Sequence, residues 1–277
     1  MPLYVPQHTP TWKQGYASCA SESANPGLWE GLMGAWYPSL GQTGARVIDV
    51  SGRGNDSAFN GSPTWVINSY GHALRFNNAD SPSDSLAIPA GMNSQGVSEW
   101  SLTVLVDLFA SSVATRLFWR EQAGGYDQNY INYDAAAAEW DWRTRDTSTG
   151  LTGSRNNDLT VSALNADPAS GQLVTFVYSV SRSLKAIYTN GVLLGSTSTS
   201  IDPFNGSWTE GIGLVFSNHY GTASLLMRHN RALFPNESQT LYQDPFALVR
   251  QRAMWLPSAG AVTPPTGNRR RRLLIGA

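Results

Sequence analysis

Leu173-Val-Thr-Phe-Val-Tyr-Ser-Val180, Ser181-Arg-Ser183, Leu184-Lys-Ala-Ile-Tyr188, Thr189-Asn190-Gly191 and Val192-Leu-Leu194 run on without interruption. The apolar stretches are too short for ordinary helices. They are rich in β-branched and aromatic residues, which suit a pleated, half-buried surface. Before the last stretch stands Asn-Gly, the dipeptide that best accepts positive φ at both central positions of a type I′ turn. The spacing predicts three antiparallel strands joined by two tight turns.

The same rhythm continues outward in both directions. Strands are predicted at 31–37, from Trp65, and at 73–76, 100–109, 116–120, 130–133, 139–143, 212–216 and 224–228, with Gly, Pro, Asn, Asp and Ser clusters between them. One helix is predicted after Phe234-Pro235, with Asn236 as N-cap, Gln239 completing a capping box and a stop before Pro245. So many short strands with regular turns predict an all-β, two-sheet antiparallel jelly-roll sandwich over residues 28–250. Residues 1–27 hold four of the fifteen prolines and show no sustained periodicity, which predicts an extended N-terminal arm. Residues 251–277, Pro/Gly-rich and ending in an arginine run, are predicted to form a C-terminal tail.

Composition narrows the function classes. Hydrophobic residues make up 41% and charged residues only 14%, so the surface must be Ser/Thr/Asn/Gly-rich, as in β-sandwich modules. A net charge of −1 gives no global field toward nucleic acid or an anionic membrane. The single cysteine, Cys19, excludes an intramolecular disulfide framework. No apolar run approaches the roughly 20 residues of a membrane helix, and the first residues read as no secretory signal.

Five segments in order carry a family resemblance: Leu32-Met-Gly-Ala-Trp36, Asp49-Val-Ser-Gly-Arg-Gly-Asn55-Asp56, Gly71-His-Ala-Leu-Arg-Phe76, Tyr188-Thr-Asn-Gly-Val-Leu-Leu-Gly195, and Arg231-Ala-Leu-Phe-Pro-Asn-Glu237 followed by Leu241-Tyr. Together they resemble the laminin-G-like, concanavalin A-like jelly-roll modules of bacterial and viral surface proteins. Asn25-Pro-Gly-Leu-Trp29 and Asp244-Pro-Phe-Ala-Leu-Val-Arg250 are similar to the opening and close of versions encoded by tailed phages. Some relatives bind a structural Ca²⁺, and the resemblance implies Asp49, Asn55 and Asp56 as its ligands. Thr222-Ala-Ser-Leu-Leu-Met-Arg228 lacks the acidic start that the corresponding strand often has in the family.

Catalysis finds little support. In Glu139-Trp-Asp141-Trp-Arg143 the two carboxylates share one strand face, as a retaining glycosidase needs. Glycosidases on this fold use a third carboxylate two or three residues further on, where this chain has Arg143 and Thr144. An arginine there would hold the acids ionised, the opposite of what a general acid requires. No catalytic residue, and no cofactor beyond the possible Ca²⁺, is assigned. The histidines show no metal-ligand spacing, and no Gly-x-Ser-x-Gly elbow is present.

Aromatics crowd one stretch instead. Trp119, Tyr126, Tyr130, Tyr133 and Trp142, with Asn129 and Asp134 beside them, are candidates to stack on sugar rings and bond hydroxyls. The arms supply a second set: Trp12, Tyr16, Trp255 and Leu274 as anchors, and Arg269, Arg270, Arg271 and Arg272 as a basic tether. The apolar Leu273-Leu-Ile275 after the arginines favours docking on an acidic protein surface over nucleic acid. These features point to a non-catalytic structural protein of a phage particle, made in the host cytoplasm. It would display a lectin-like module, with other virion proteins, copies of itself and a cell-surface glycan as partners. A free lectin and a glycoside hydrolase of the same fold are the alternatives.

Overall fold

The computed structural model describes residues 16–77, 84–87, 89, 92, 97–108, 115–123, 126–134, 139–144, 159–162, 171–198, 212–215 and 221–252; for 108, 115–123, 126–130, 143–144 and 212–215 it describes the backbone alone. The strands in chain order are β1 Leu32–Trp36, β2 Arg46–Val47, β3 Ser57–Asn60, β4 Thr64–Asn68, β5 Gly71–Phe76, β6 Ser85–Ala87, β7 Glu99–Leu108 and β8 Thr115–Ala123. They continue with β9 Tyr126–Asp134, β10 Glu139–Thr144, β11 Leu159–Ser162, β12 Gln172–Ser179, β13 Leu184–Thr189, β14 Val192–Thr197, β15 Ile212–Val215 and β16 Gly221–His229. One α-helix, α1 Pro235–Gln243, follows.

The strands form two antiparallel sheets, so the predicted sandwich is the observed architecture. Sheet 1 runs β14-β13-β12-β7-β16-β5-β4, with β1 also paired to β16; sheet 2 runs β11-β10-β9-β8-β15-β6-β3-β2. The decisive stretch forms β12, β13 and β14 as predicted. Asn190 and Gly191 adopt φ of 50° and 77°, the left-handed values a type I′ turn demands. The strands β2, β3, β6 and β11 were not predicted. Each has four residues or fewer and is too short to show a period.

Between the sheets lies an aromatic core. Trp100 packs against Trp142 with centroids 5.1 Å apart, Trp140 against Phe176 at 5.6 Å, and Tyr178 against Trp100 at 6.1 Å. Two buried cations sit on its rings: Lys185 Nζ, 4.7 Å from the Trp142 centroid, and the Arg228 guanidinium, 4.4 Å from that of Trp100. Desolvated cation–π contacts of this kind contribute about 2 kcal/mol each. Lys185 Nζ also donates to the Trp142 carbonyl at 2.7 Å.

A second core lies on the other face of sheet 1. There Leu173, Val177, Tyr188, Leu225 and Met227 meet Leu28, Leu233, Leu241, Leu248 and Val249 from α1 and the terminal segments. The boundary predicted at residue 28 falls inside this layer. Ala17 N–H donates to Val249 O at 2.7 Å, Ala24 N–H to Arg250 O at 2.8 Å, and Arg252 N–H to Glu22 O at 2.7 Å. Residues 16–27 and 247–252 thus hold one another on sheet 1. Pairing distant in sequence leaves no local periodicity to read.

The predicted helix exists, but its cap differs. Phe234 is the N-cap and Pro235 takes the first helical position, where its missing N–H costs nothing and its fixed φ helps. Glu237, not Gln239, completes the start by accepting the Phe234 N–H at 2.8 Å. Arg231 binds the same carboxylate and reaches the Gly27 and Glu30 carbonyls, tying α1 to the N-terminal segment.

Candidate functional site

The strict alternation of Glu139-Trp140-Asp141-Trp142 decides which face of β10 is available. Trp140 and Trp142 are both fully buried between the sheets. Trp142 therefore cannot stack on a sugar, and that expectation is corrected: its indole lies among Trp100, Phe176 and Tyr178. Tyr133 is corrected for the same reason. Its ring packs 5.2 Å from Trp140 in the core.

Consequently Glu139 and Asp141 stand on the outer face of sheet 2. The register places Asp141 between Asn132 of β9 and Thr160 of β11, and Glu139 between Asp134 and Ser162. Thr160 and Ser162 are exposed, Glu139 and Asp134 half-buried, and Asp141 and Asn132 only 6% and 4% accessible. The result is a polar strip across three strands, deepest at the Asn132–Asp141 pair. Thr160 Oγ1 donates to Asp141 Oδ1 at 3.4 Å, a long bond.

Asn132 was not among the predicted site residues. The alternation around Ile131 and Tyr133, both in the core, shows that it points outward. Nothing local shows that its Oδ1 is buried and has no hydrogen-bond partner. Among the predicted residues, Asp134 closes β9 opposite Glu139. Trp119 pairs in register with Ile131, Tyr130 with Arg120 and Arg143, Asn129 with Glu121 and Thr144, and Tyr126 with Ala123. The side chains of Trp119, Tyr126, Asn129 and Tyr130 lie outside the described residues.

The residues that the resemblance implies as calcium ligands do not fit a cation. Asp49 Oδ1 accepts the N–H groups of Ala35 and Ser51, each at 2.9 Å; Oδ2 accepts Ser51 Oγ at 2.7 Å and the Asn55 N–H at 3.1 Å. Asp56 accepts the Asp49 N–H at 3.0 Å and pairs with Arg46 at 3.3 Å. Asn55 turns its amide nitrogen to the Met33 carbonyl at 2.7 Å. The carboxylate of Asp49 does internally what an ion would do, closing the 49–56 loop onto β1. Among the described residues no group of three His, Cys, Asp or Glu side chains is placed to hold a metal.

Of the arm residues, Tyr16 is half-buried and bridges Arg250 on the sheet 1 side. Trp12, Trp255, Arg269, Arg270, Arg271, Arg272 and Leu274 lie outside the described residues. No described helix is long and apolar enough to cross a membrane.

By sequence, the chain matches no protein family and no curated protein. Solved structures resemble it in fold. Domain 4 of AbnA, a GH43 extracellular arabinanase from Geobacillus stearothermophilus, solved in complex with arabinotriose, superposes with a TM-score of 0.57 at 14% identity, over 76% of this chain and 98% of that one. The binding domain of botulinum neurotoxin DC, in complex with rat synaptotagmin II, gives 0.59 at 10% identity, over 77% of this chain and 51% of that one. Trypanosoma rangeli sialidase in complex with the inhibitor DANA gives 0.53 at 15% identity, over 78% of this chain but 33% of that one. The chain therefore spans about half the neurotoxin binding-domain chain and a third of the sialidase chain. At these identities the likeness establishes the β-sandwich fold.

Proposed function

We propose that the chain is a non-catalytic carbohydrate-binding sandwich that serves as a structural component of a phage particle. The observation that carries this reading is its two-sidedness. The terminal layer, where Tyr16 bridges Arg250 and Ser23 bridges Gln251, covers the outer face of sheet 1. The polar strip of Asn132, Asp134, Glu139, Asp141, Thr160 and Ser162 lies on the opposite side of the molecule, on the outer face of sheet 2. Tyr16 and Arg252, the first and last described residues, thus both belong to the layer on the side away from the strip. A module held at one side and presenting hydrogen-bonding groups at the other suits attachment and display. The arabinotriose complex of the similar arabinanase domain supports a sugar as what is displayed to.

The non-catalytic part rests on Arg143 and Thr144 standing where a third carboxylate is needed. Partners at the terminal side are other virion proteins or further copies of this chain. The basic Arg269–Arg272 tether suits an acidic protein surface.

Two measurements test the proposal together. On a glycan array the full chain should bind neutral oligosaccharides and release no reducing sugar from them. In complementation, the full chain should decorate particles lacking it, whereas residues 16–252 should fold and fail to decorate. Failure of the full chain to decorate would remove the virion reading, decoration by residues 16–252 at full occupancy would show that the arms are not the attachment device, and an array without any binding would remove the carbohydrate reading.

A further inference from the structure

Buried polar side chains normally find hydrogen-bond partners, because an unmet donor or acceptor in low dielectric is costly. Several side chains here break that rule, and most are structural. His72, Gln172, Thr189, His229 and Ser238 each bury one partnerless atom, and all belong to sheet 1 or α1. Asn132 differs in position. It is 4% accessible, its Oδ1 has no partner, and it stands on β9 at the border of the polar strip of sheet 2, with Leu117 of β8 paired on its other side. Directly across from it is Asp141, with Thr160 beyond; one rung along are Glu139 and Asp134.

We infer that Asn132 is the hydrogen-bonding anchor of a saccharide subsite between β9, β10 and β11, and that the sugar it takes is uncharged. The inference rests on the carbohydrate-binding reading and adds to it a residue and a ligand class. The buried Oδ1 needs a donor, and a sugar hydroxyl supplies one while accepting from the amide nitrogen in return. Asp134, Glu139 and Asp141, the three carboxylates nearest along the strands, accept hydroxyls and repel carboxylated or sulfated sugars. On strands β8 to β11 together there are five acidic residues and three cations, Arg116, Arg120 and Arg143. Arg120 and Arg143 stand one rung away on either side of Tyr130, whereas Asp141 lies directly across from Asn132, and Asp134 and Glu139 one rung away in the other direction.

A partnerless amide kept for a ligand should cost the free protein stability, and this separates recognition from structure. The test compares full-length wild type with Asn132→Leu and Asn132→Ala. Melting temperatures are read together with calorimetric titrations of arabinotriose, of a panel of neutral oligosaccharides and of sialyllactose. The expected result is that Asn132→Leu melts at or above wild type while affinity for the neutral sugar falls about tenfold or more, and that sialyllactose binds neither protein. Asn132→Ala, too small to crowd the strip, should lose binding equally. Neutral-sugar binding unchanged in both variants overturns the inference and leaves the carbohydrate reading standing. Tighter binding of sialyllactose than of neutral sugars overturns the charge argument, and binding of no sugar by wild type overturns both readings.

Discussion

The two sheets differ in what covers them. The centre of sheet 1 is sealed on both faces: all eight residues of β12 and all nine of β16 are buried, because the aromatic core lies on one side and the terminal layer on the other. On its outer face at β9 and β10 sheet 2 buries Asn132 and Asp141 but leaves Asp134 and Glu139 half-buried, and it is fully covered only on its core side. Trp140 and Trp142 are buried there, while Thr160 and Ser162 of the neighbouring β11 lie exposed on the outer face. An antiparallel sheet with one wet face is free to carry polar recognition groups, whereas a doubly covered sheet must satisfy them internally. Sheet 1 meets part of this demand with bonds such as Asn68 Nδ2 to Asp107 and Ser224, both at 2.9 Å, and leaves one atom each of His72, Gln172, Thr189 and His229 unmet. The contrast assigns stability to sheet 1 and presentation to sheet 2.

The largest expected effect falls where the core meets sheet 2. Trp142→Ala should destabilise the fold by about 3–5 kcal/mol, because it empties the space among Trp100, Phe176 and Tyr178 and strips Lys185 of its ring. Urea denaturation monitored by circular dichroism measures it. A loss below about 1 kcal/mol would return Trp142 to the surface.

Acid should act on sheet 1. Burial lowers the pKa of His229 to about 4 from an ordinary 6.5; its Nε2 meets the Leu28 carbonyl at 2.9 Å. The folded state keeps the ring neutral while the unfolded chain takes up a proton, so stability falls as pH drops from about 6.5 to 4. The loss approaches about 3 kcal/mol at roughly 1.4 kcal/mol per pH unit. Glu237 adds to it in the same direction. Burial alone would raise its pKa, but bonds from Arg231 and the Phe234 N–H carry it below the ordinary value, so that contribution too is lost in acid. Melting temperatures from pH 7 to 4 should fall steeply for wild type and less for His229→Gln. Parallel curves would show that His229 does not carry the effect.

A smaller effect is expected where the edges of the two sheets meet. A Cβ on Gly195 of β14 would stand 2.5 Å from Val161 Cγ2 of β11. Gly195→Ala should cost about 1–3 kcal/mol as the edges are forced apart, and Val161→Ala in the same chain should recover part of it. Additivity of the two would show that the edges do not touch.

The smallest effect belongs to the outer strip. Thr160→Ala should change stability by no more than about 0.5 kcal/mol, since its hydroxyl is exposed and its bond to Asp141 is long. A loss above about 1 kcal/mol would mean that the strip is structural and that the contrast between the sheets is false.

Strand existence and order were legible wherever runs were long enough to show a period, as at Trp100, Leu173 and Leu184, and the Asn190–Gly191 turn could be read from two residues. The candidate site was half legible. Alternation puts Glu139 and Asp141 on one face, but it does not show that Trp142 and Tyr133 line the core or that Asn132 is buried on the outer face. Alternation divides a strand into two faces. Which of them meets the opposing sheet depends on what packs there.

By itself the sequence determined the local backbone: short β-rich runs, a turn that needs positive φ, and a proline-started helix, all consequences of interactions within a few residues. Only the tertiary structure decided that residues 16–27 close over sheet 1 with 247–252, that Asp49 spends its carboxylate on four protein donors, and that Asn132 is buried without a partner. These depend on groups brought together from far along the chain, where burial and hydrogen-bond supply are set by the neighbours and leave no local pattern in the sequence.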